Sequence, residues 1–179
     1  MTWTAPMTFV SNTVLTAAQL NIFLRDNFLE CAPAKATTSG YHFVSTGGNA
    51  IAERAILSSI INTSESTTST SYVDLASVGP QVTVTTGSKA LWIASANALN
   101  GTLNSQVLAS VAISGASSIA SSNQRSLSCD GLAASQGIQS SFSYLESGLT
   151  PGVNTFTMEY RVDSNTGYFS NRNLIVIAL

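Results

Sequence analysis

"NTFTMEYRV", Asn154 to Val162, alternates more cleanly than any other stretch of the chain. Phe156, Met158, Tyr160 and Val162 fall on one side, and Thr155, Thr157, Glu159 and Arg161 on the other. A period of two residues marks a strand with one buried face and one wet face. The pattern makes this segment one wall of a sheet.

The neighbouring segments carry related signals. After a turn at "DSNTG", the chain ends in "NLIVIAL", Asn173 to Leu179. Here Leu174, Val176 and Ala178 face one way, while Ile175, Ile177 and Leu179 face the other. A strand apolar on both faces is covered on both faces. The outer face of a two-sheet sandwich normally meets water, so the simplest second cover is another subunit. Upstream, "SYVDLASV" (Ser71 to Val78) reads as a strand leading to a Gly79-Pro80 turn, and "QVTVTT" (Gln81 to Thr86) alternates well. "KALWIASANAL" (Lys89 to Leu99) closes on Asn100-Gly101, a hairpin-type turn pair. "QVLASVAI" (Gln106 to Ile113) puts Val107, Ala109, Val111 and Ile113 on one face, and "IQSSFSYL" (Ile138 to Leu145) follows a Ser-rich loop. Short strands at a spacing of about 8–12 residues predict a mainly β fold, an antiparallel, jelly-roll-like β-sandwich.

One segment breaks the pattern. "VLTAAQLNIFLRDNF", Val14 to Phe28, carries helix signals. Thr16 with Gln19 forms a capping box, and Leu15 with Leu20 a hydrophobic staple. Leu20, Phe23, Leu24, Phe28 and Cys31 keep helical spacing on one side, and Ile22 and Leu29 form a second stripe nearly opposite. Pro33 predicts an end near Ala32, because the residue before a proline is disfavoured in the α region. The chain therefore divides into an arm and helix at residues 1–33, a linker with short extended pieces at 34–65, and the sandwich at 66–179. Within the linker, Glu53 and Arg54 are read as a solvated ion pair.

Composition narrows the function. Hydrophobic residues make up 44% of the 179, enough for a packed core. Charged residues make up only 9%, against about 25% in an ordinary soluble domain, and Ser and Thr fill the gap. The surface is polar but nearly uncharged, as in many extracellular or particle-borne β proteins. Seven Lys and Arg, spread along a chain of net charge −2, make no basic face for nucleic acid. "MTWTAPMTFV" has neither the basic nor the apolar region of a signal peptide, and no apolar run nears the ~20 residues of a membrane span. Cys31 and Cys129 read as free thiols.

Catalytic chemistry has little to build on. His42, the one histidine, sits between Tyr41 and Phe43 in the linker, so no Ser-His-Asp or Cys-His set is visible elsewhere. The nine acidic residues show no paired spacing, no ligand cluster marks a metal, and Gly47-Gly48 lacks the Lys and Ser/Thr of a phosphate loop. No enzyme activity, cofactor or metal is expected.

The N-terminal stretch "TWTAPMTFVSNTVLTAAQLNIFLRDNF" resembles the opening segment of bacteriophage tail and virion-surface proteins. Trp3, Pro6, Phe9, Val14, Leu15, Thr16, Gln19, Leu20, Asn21, Arg25, Asp26 and Asn27 stand at the positions of that pattern. The C-terminal part, through "GLTPGVNTFTMEYRV" to "NRNLIVIAL", resembles the small β-sandwich head of such proteins. The resemblance implies a structural, usually trimeric protein of the virion surface, made in the host cytoplasm: a minor tail protein, short knob or decoration protein, without the long coiled coil of a full fibre. It implies docking to other virion proteins through Trp3, Pro6, Phe9, Leu15, Leu20, Ile22, Phe23, Leu24 and Phe28. Ile175, Ile177 and Leu179 are expected at a homotrimer interface. The alternative reading is a module that binds a host cell-surface glycan, stacking sugar on Tyr144 or on Tyr168 and Phe169 at a turn.

Overall fold

A computed structural model describes the chain except residues 1–3, 6, 9, 103–104 and 131–136 and the side chain of Pro33. The chain forms two compact units, Met1–Ala55 and Ile56–Leu179.

In the first unit, Thr16 caps the helix as its capping box requires. The Gln19 N–H donates to Thr16 Oγ1 at 3.2 Å, and the Thr16 N–H donates to Gln19 Oε1 at 2.9 Å. The helix starts as Ala17–Leu20, widens into a π-helical segment at Asn21–Asp26, and closes as Asn27–Leu29. It stops before Ala32. Cys31 is extended, and Ala32–Lys35 begins a separate turn with Pro33 near its start. A first-turn proline costs nothing because its missing N–H would have had no partner there. The π segment shifts the helical phase, so regular spacing does not give the buried side. Leu20, Ile22, Leu24, Phe28 and Leu29 are exposed, Phe23 is half-buried, and the buried side chain is Asn27.

The segment read as linker contains a hairpin, β1 (His42–Gly47) with β2 (Ala50–Arg54), turning through Asn49 at φ 55°. Glu53 and Arg54 do not pair through their charges, since adjacent strand residues point to opposite faces. Glu53 instead accepts from the Thr37 N–H and hydroxyl, both at 2.6 Å, and from the Thr38 N–H at 3.2 Å. The Thr37 hydroxyl and these amides hold its carboxyl below the usual carboxylate range against the opposing pull of desolvation.

The second unit is the sandwich. Its strands are β3 (Ile56–Ile61), β4 (Glu65–Thr67), β5 (Gln81–Thr86), β6 (Lys89–Asn100), β7 (Gln106–Gly115), β8 (Ser126–Asp130), β9 (Ile138–Ser147), β10 (Gly152–Val162) and β11 (Gly167–Ala178). One sheet has the order β3-β11-β6-β9, with β4 also on β11, and the other β5-β10-β7-β8. The chain crosses between the sheets at β4–β5, β5–β6, β6–β7, β8–β9, β9–β10 and β10–β11, and every pairing is antiparallel. This is a jelly roll. The alternation in β10 places Phe156, Met158, Tyr160 and Val162 in the core, each fully buried, with Val107, Val111, Trp92, Leu174 and Val176.

Four local readings change. β3 lies inside the stretch read as linker. Ser71 to Val78 is not a strand; only Val73 bridges, exchanging two backbone hydrogen bonds with Tyr160 at 2.9 and 3.0 Å. Asn100-Gly101 does not close a hairpin, because β6 and β7 belong to different sheets. The fully buried Asn100 side chain instead fastens the corner, accepting from the Thr102 N–H and donating to Ser105 Oγ and the Ser164 carbonyl. Tyr168 and Phe169 lie within β11 rather than at a turn. β11 itself breaks phase at a bulge between Ser170 and Asn173, with Asn171 at φ 48°. Before the bulge Phe169 points inward; after it Arg172, Leu174, Val176 and Ala178 do.

Candidate interaction surfaces

The two outer faces of the sandwich differ in chemistry. On the β3-β11-β6-β9 sheet, Ile56 lies opposite Ile177, Ile177 opposite Leu91, and Leu91 opposite Leu145. One aliphatic row therefore crosses all four strands. The next row reads Ser58, Ile175, Ile93, Ser143. Ile56 is 48% exposed, Leu145 51% and Ile60, further along β3, 59%. Ile175, Ile177 and Leu179 are half-buried on this side. Leu179 is held by its backbone, donating to the Lys89 carbonyl at 3.0 Å and accepting from the Gly87 N–H at 2.7 Å.

The outer face of the other sheet is lined with hydroxyls and an amide. Thr83 and Thr155 hydroxyls meet at 2.9 Å across β5 and β10, and Gln81 Nε2 donates to Thr157 Oγ1 at 2.9 Å. Ser114 continues the Thr83–Thr155 row on β7. One face of the sandwich is wet by composition, and the opposite face is dry.

In the first unit, Asn27 locks the arm to the helix. Its Oδ1 accepts the Thr4 N–H at 2.9 Å, and its Nδ2 donates to the Thr4 carbonyl and to the Phe23 carbonyl, both at 3.1 Å. The amide thus copies both halves of a backbone pairing, and the Phe23 contact aims it. Beside it, Arg25 pairs with Asp26 at 2.8 Å and Lys35 with Glu30 at 2.7 Å. Trp3, Pro6 and Phe9 lie outside the described residues. Leu15 is exposed, like Leu20, Ile22, Leu24 and Phe28, whereas Phe23 is half-buried.

The three aromatic residues assigned to sugar contact are not brought together. Tyr144 lies opposite Trp92 and Tyr168 opposite Leu99, so the two tyrosines sit on opposite faces of one sheet. Phe169 is fully buried against Tyr160, with ring centroids 4.7 Å apart, because the strand alternation turns it inward. Tyr144 has other company. Its ring stacks on Phe142 at 6.4 Å, and the Arg125 guanidinium lies 5.9 Å above it, fixed by a 2.6 Å ion pair with buried Glu146.

A buried polar cluster was invisible in the sequence. Arg172, fully buried, reaches Glu65 Oε2 at 3.2 Å, lies 5.5 Å above the Tyr160 ring, and donates to the Gly79 carbonyl. Tyr160 Oη also donates to that carbonyl, at 2.9 Å. Burial pushes the Tyr160 phenol far up. Desolvation pulls the Glu65 carboxyl up, but the Ser77 amide and the Arg172 charge outweigh it and leave it below its ordinary range. The signal that finds Arg172 is the bulge, which only strand register exposes. Among the described residues, no group of three His, Cys, Asp or Glu is placed to hold a metal, and no helix is long and apolar enough to cross a membrane.

The fold has known counterparts. The infectious bursal disease virus VP2 subviral particle matches with a TM-score of 0.52 at 8% identity, over 75% of this chain and 37% of the VP2 chain. The T=1 particles derived from infectious bursal virus match with a TM-score of 0.50 at 8% identity, over 75% and 35%. This chain thus spans little more than a third of either. No family model and no curated protein matches the sequence.

Proposed function

We propose that the chain is a non-enzymatic structural component of a virion surface, of the phage minor-tail, short-knob or decoration kind. The observation that carries this reading is the jelly roll, built on the same plan as proteins that form viral particles. The N-terminal resemblance supports a phage origin. The arm and helix are its docking device: the arm is clamped by Asn27, and Leu15, Leu20, Ile22, Leu24 and Phe28 stand exposed for a partner. Three copies associate through the dry face around Ile175, Ile177 and Leu179, leaving the hydroxyl-rich face in water. The test is incorporation. Full-length chain should be found in purified particles, and chain lacking residues 1–33 should not. Normal incorporation of the truncated chain would sink the docking role, and absence of the full-length chain from particles would sink the virion assignment.

The second reading, host glycan binding, rests on the Tyr144–Phe142 stack beside the fixed Arg125. An aromatic plane next to a charged donor suits a sugar ring, and repeated copies on a particle turn weak sites into avidity. A glycan array probed with whole particles and with Tyr144→Ala particles separates it from a purely structural role.

A further inference from the structure

Strand β9 forms one edge of its sheet. β6 pairs with one side of it, and among the described residues no strand pairs with the other. At ten residues it is the longest edge of the sandwich; β3, β5 and β8 have six, six and five. A free edge is a row of unpaired N–H and C=O groups, which proteins usually guard with proline, lysine, a bulge or a very short strand. β9 has no proline, lysine, bulge or shortening, and its one guard is the inward-pointing Glu146 near its end. Its sequence "IQSSFSYLES" lacks Pro, Lys and Arg, and its pairing with β6 runs without a shift from Ile138 to Ser147. Its one charge, Glu146, is buried and committed to Arg125.

We propose that β9 pairs antiparallel with β9 of a second copy about a twofold axis through Ser143, joining two five-stranded sheets into one of ten. The sequence fits this register on both sides of the axis. Phe142 meets Tyr144 of the other copy, twice, and aromatic cross-strand pairs are favourable. Ser141 meets Leu145, and Ser140 meets Glu146, so no like charges face each other. The aliphatic row, which ends in open solvent at Leu145 within one chain, abuts the second copy. Because the contact is isologous it closes on itself instead of propagating into a fibre. It is independent of the virion reading and of any threefold contact on the sheet face.

The test is cysteine crosslinking of the full chain under mild oxidation, read on non-reducing gels. In register, Ser143→Cys brings two Cα atoms to about 4.5–5.5 Å, inside the range a disulfide spans. Ser141→Cys leaves its two copies four residues apart, about 13 Å at the rise of a strand. Ser143→Cys should give at least tenfold more two-chain product than Ser141→Cys or the unmodified chain, which carries Cys31 and Cys129. A mixture of Ser141→Cys and Leu145→Cys chains should crosslink where neither does alone. Equal yields from Ser143→Cys and Ser141→Cys, or no gain in the mixture, would overturn the proposal. Since Ser141, Ser143 and Leu145 are all exposed, the fold tolerates each change.

Discussion

Asn27 and Thr4 are joined by two hydrogen bonds, at 2.9 and 3.1 Å, that run in opposite directions between a side-chain amide and a backbone. At neutral pH, where carboxylates only accept, no other natural side chain except glutamine offers a donor and an acceptor in that arrangement, and glutamine is one methylene longer.

Asn27→Ala should therefore free the arm from the helix. Each lost bond is worth about 1 kcal/mol, with a further penalty of about 1–3 kcal/mol where a buried partner is left unsatisfied. Hydrogen exchange at the Thr4 amide should speed up at least tenfold, while Asn27→Asp, which keeps the acceptor, should release it less. Unchanged exchange in Asn27→Ala would show that the clamp holds nothing.

Arg172 sits in the sandwich with Glu65 as its charge partner. Arg172→Ala leaves that carboxylate without its cation and opens a void, so a loss of about 3–5 kcal/mol in urea unfolding is expected. Arg172→Met, which fills the space, should still lose stability, and replacing both partners (Arg172→Met with Glu65→Gln) should recover part of it.

The same pair gives a pH signature. The folded Glu65 carboxyl is held below its unfolded value of about 4.3. A depressed carboxylate stabilises the fold fully above the unfolded pKa, and that stability fades as pH falls through the folded one. The urea midpoint of the wild type should drop as pH is lowered below about 4.3, and Glu65→Gln should start lower at neutral pH and show a flatter acid limb. Parallel limbs would remove Glu65 from the account.

Neighbouring aromatic residues on β11 should behave oppositely. Phe169→Ala empties a core site against Tyr160 and should cost about 3–5 kcal/mol. Tyr168, 41% exposed on the outer face, should cost far less when changed to Ala. Comparable losses would contradict the alternation before the bulge.

The dry face makes a claim about assembly. Ile175→Asp or Ile177→Asp should break a threefold contact there, because an unpaired buried charge costs several kcal/mol. Light scattering should report a multiple of three chains for the wild type, six when the β9 pairs also form, and a number not divisible by three for either variant. A wild type that stays monomeric at micromolar concentration would exclude the homotrimer.

Much of the sandwich could be read directly. β5 and the inward set of β10 follow from their alternation, because a half-buried strand writes its burial into every second residue. β3 could not be read, since Ser58 and Ser59 interrupt its apolar run. β8 has only Leu127 and Cys129 to show between serines. The capping box marked the start of the helix, but nothing local announces the π segment that exposes most of the apolar stripe and buries Asn27. The aliphatic face was half legible. Ile175 and Ile177 stood out as a second apolar side, but Ile56, Leu91 and Leu145 join them only through cross-strand register, which is a property of the whole sheet.

The bulge in β11 raises a question of phase. Beyond it, both sides of the strand are aliphatic: Leu174 and Val176 inward, Ile175 and Ile177 outward. Sliding such a strand by one residue exchanges one set of hydrocarbon side chains for another of almost equal size, so greasiness alone barely distinguishes the two settings. Arg172 does distinguish them. In one setting it finds Glu65 and the Tyr160 ring; in the other it would swing to the opposite side and leave Glu65 facing the interior without its cation. A buried charge that adds little net stability thus acts as a keyway, admitting the last strand in a single alignment and setting which isoleucines reach the outside.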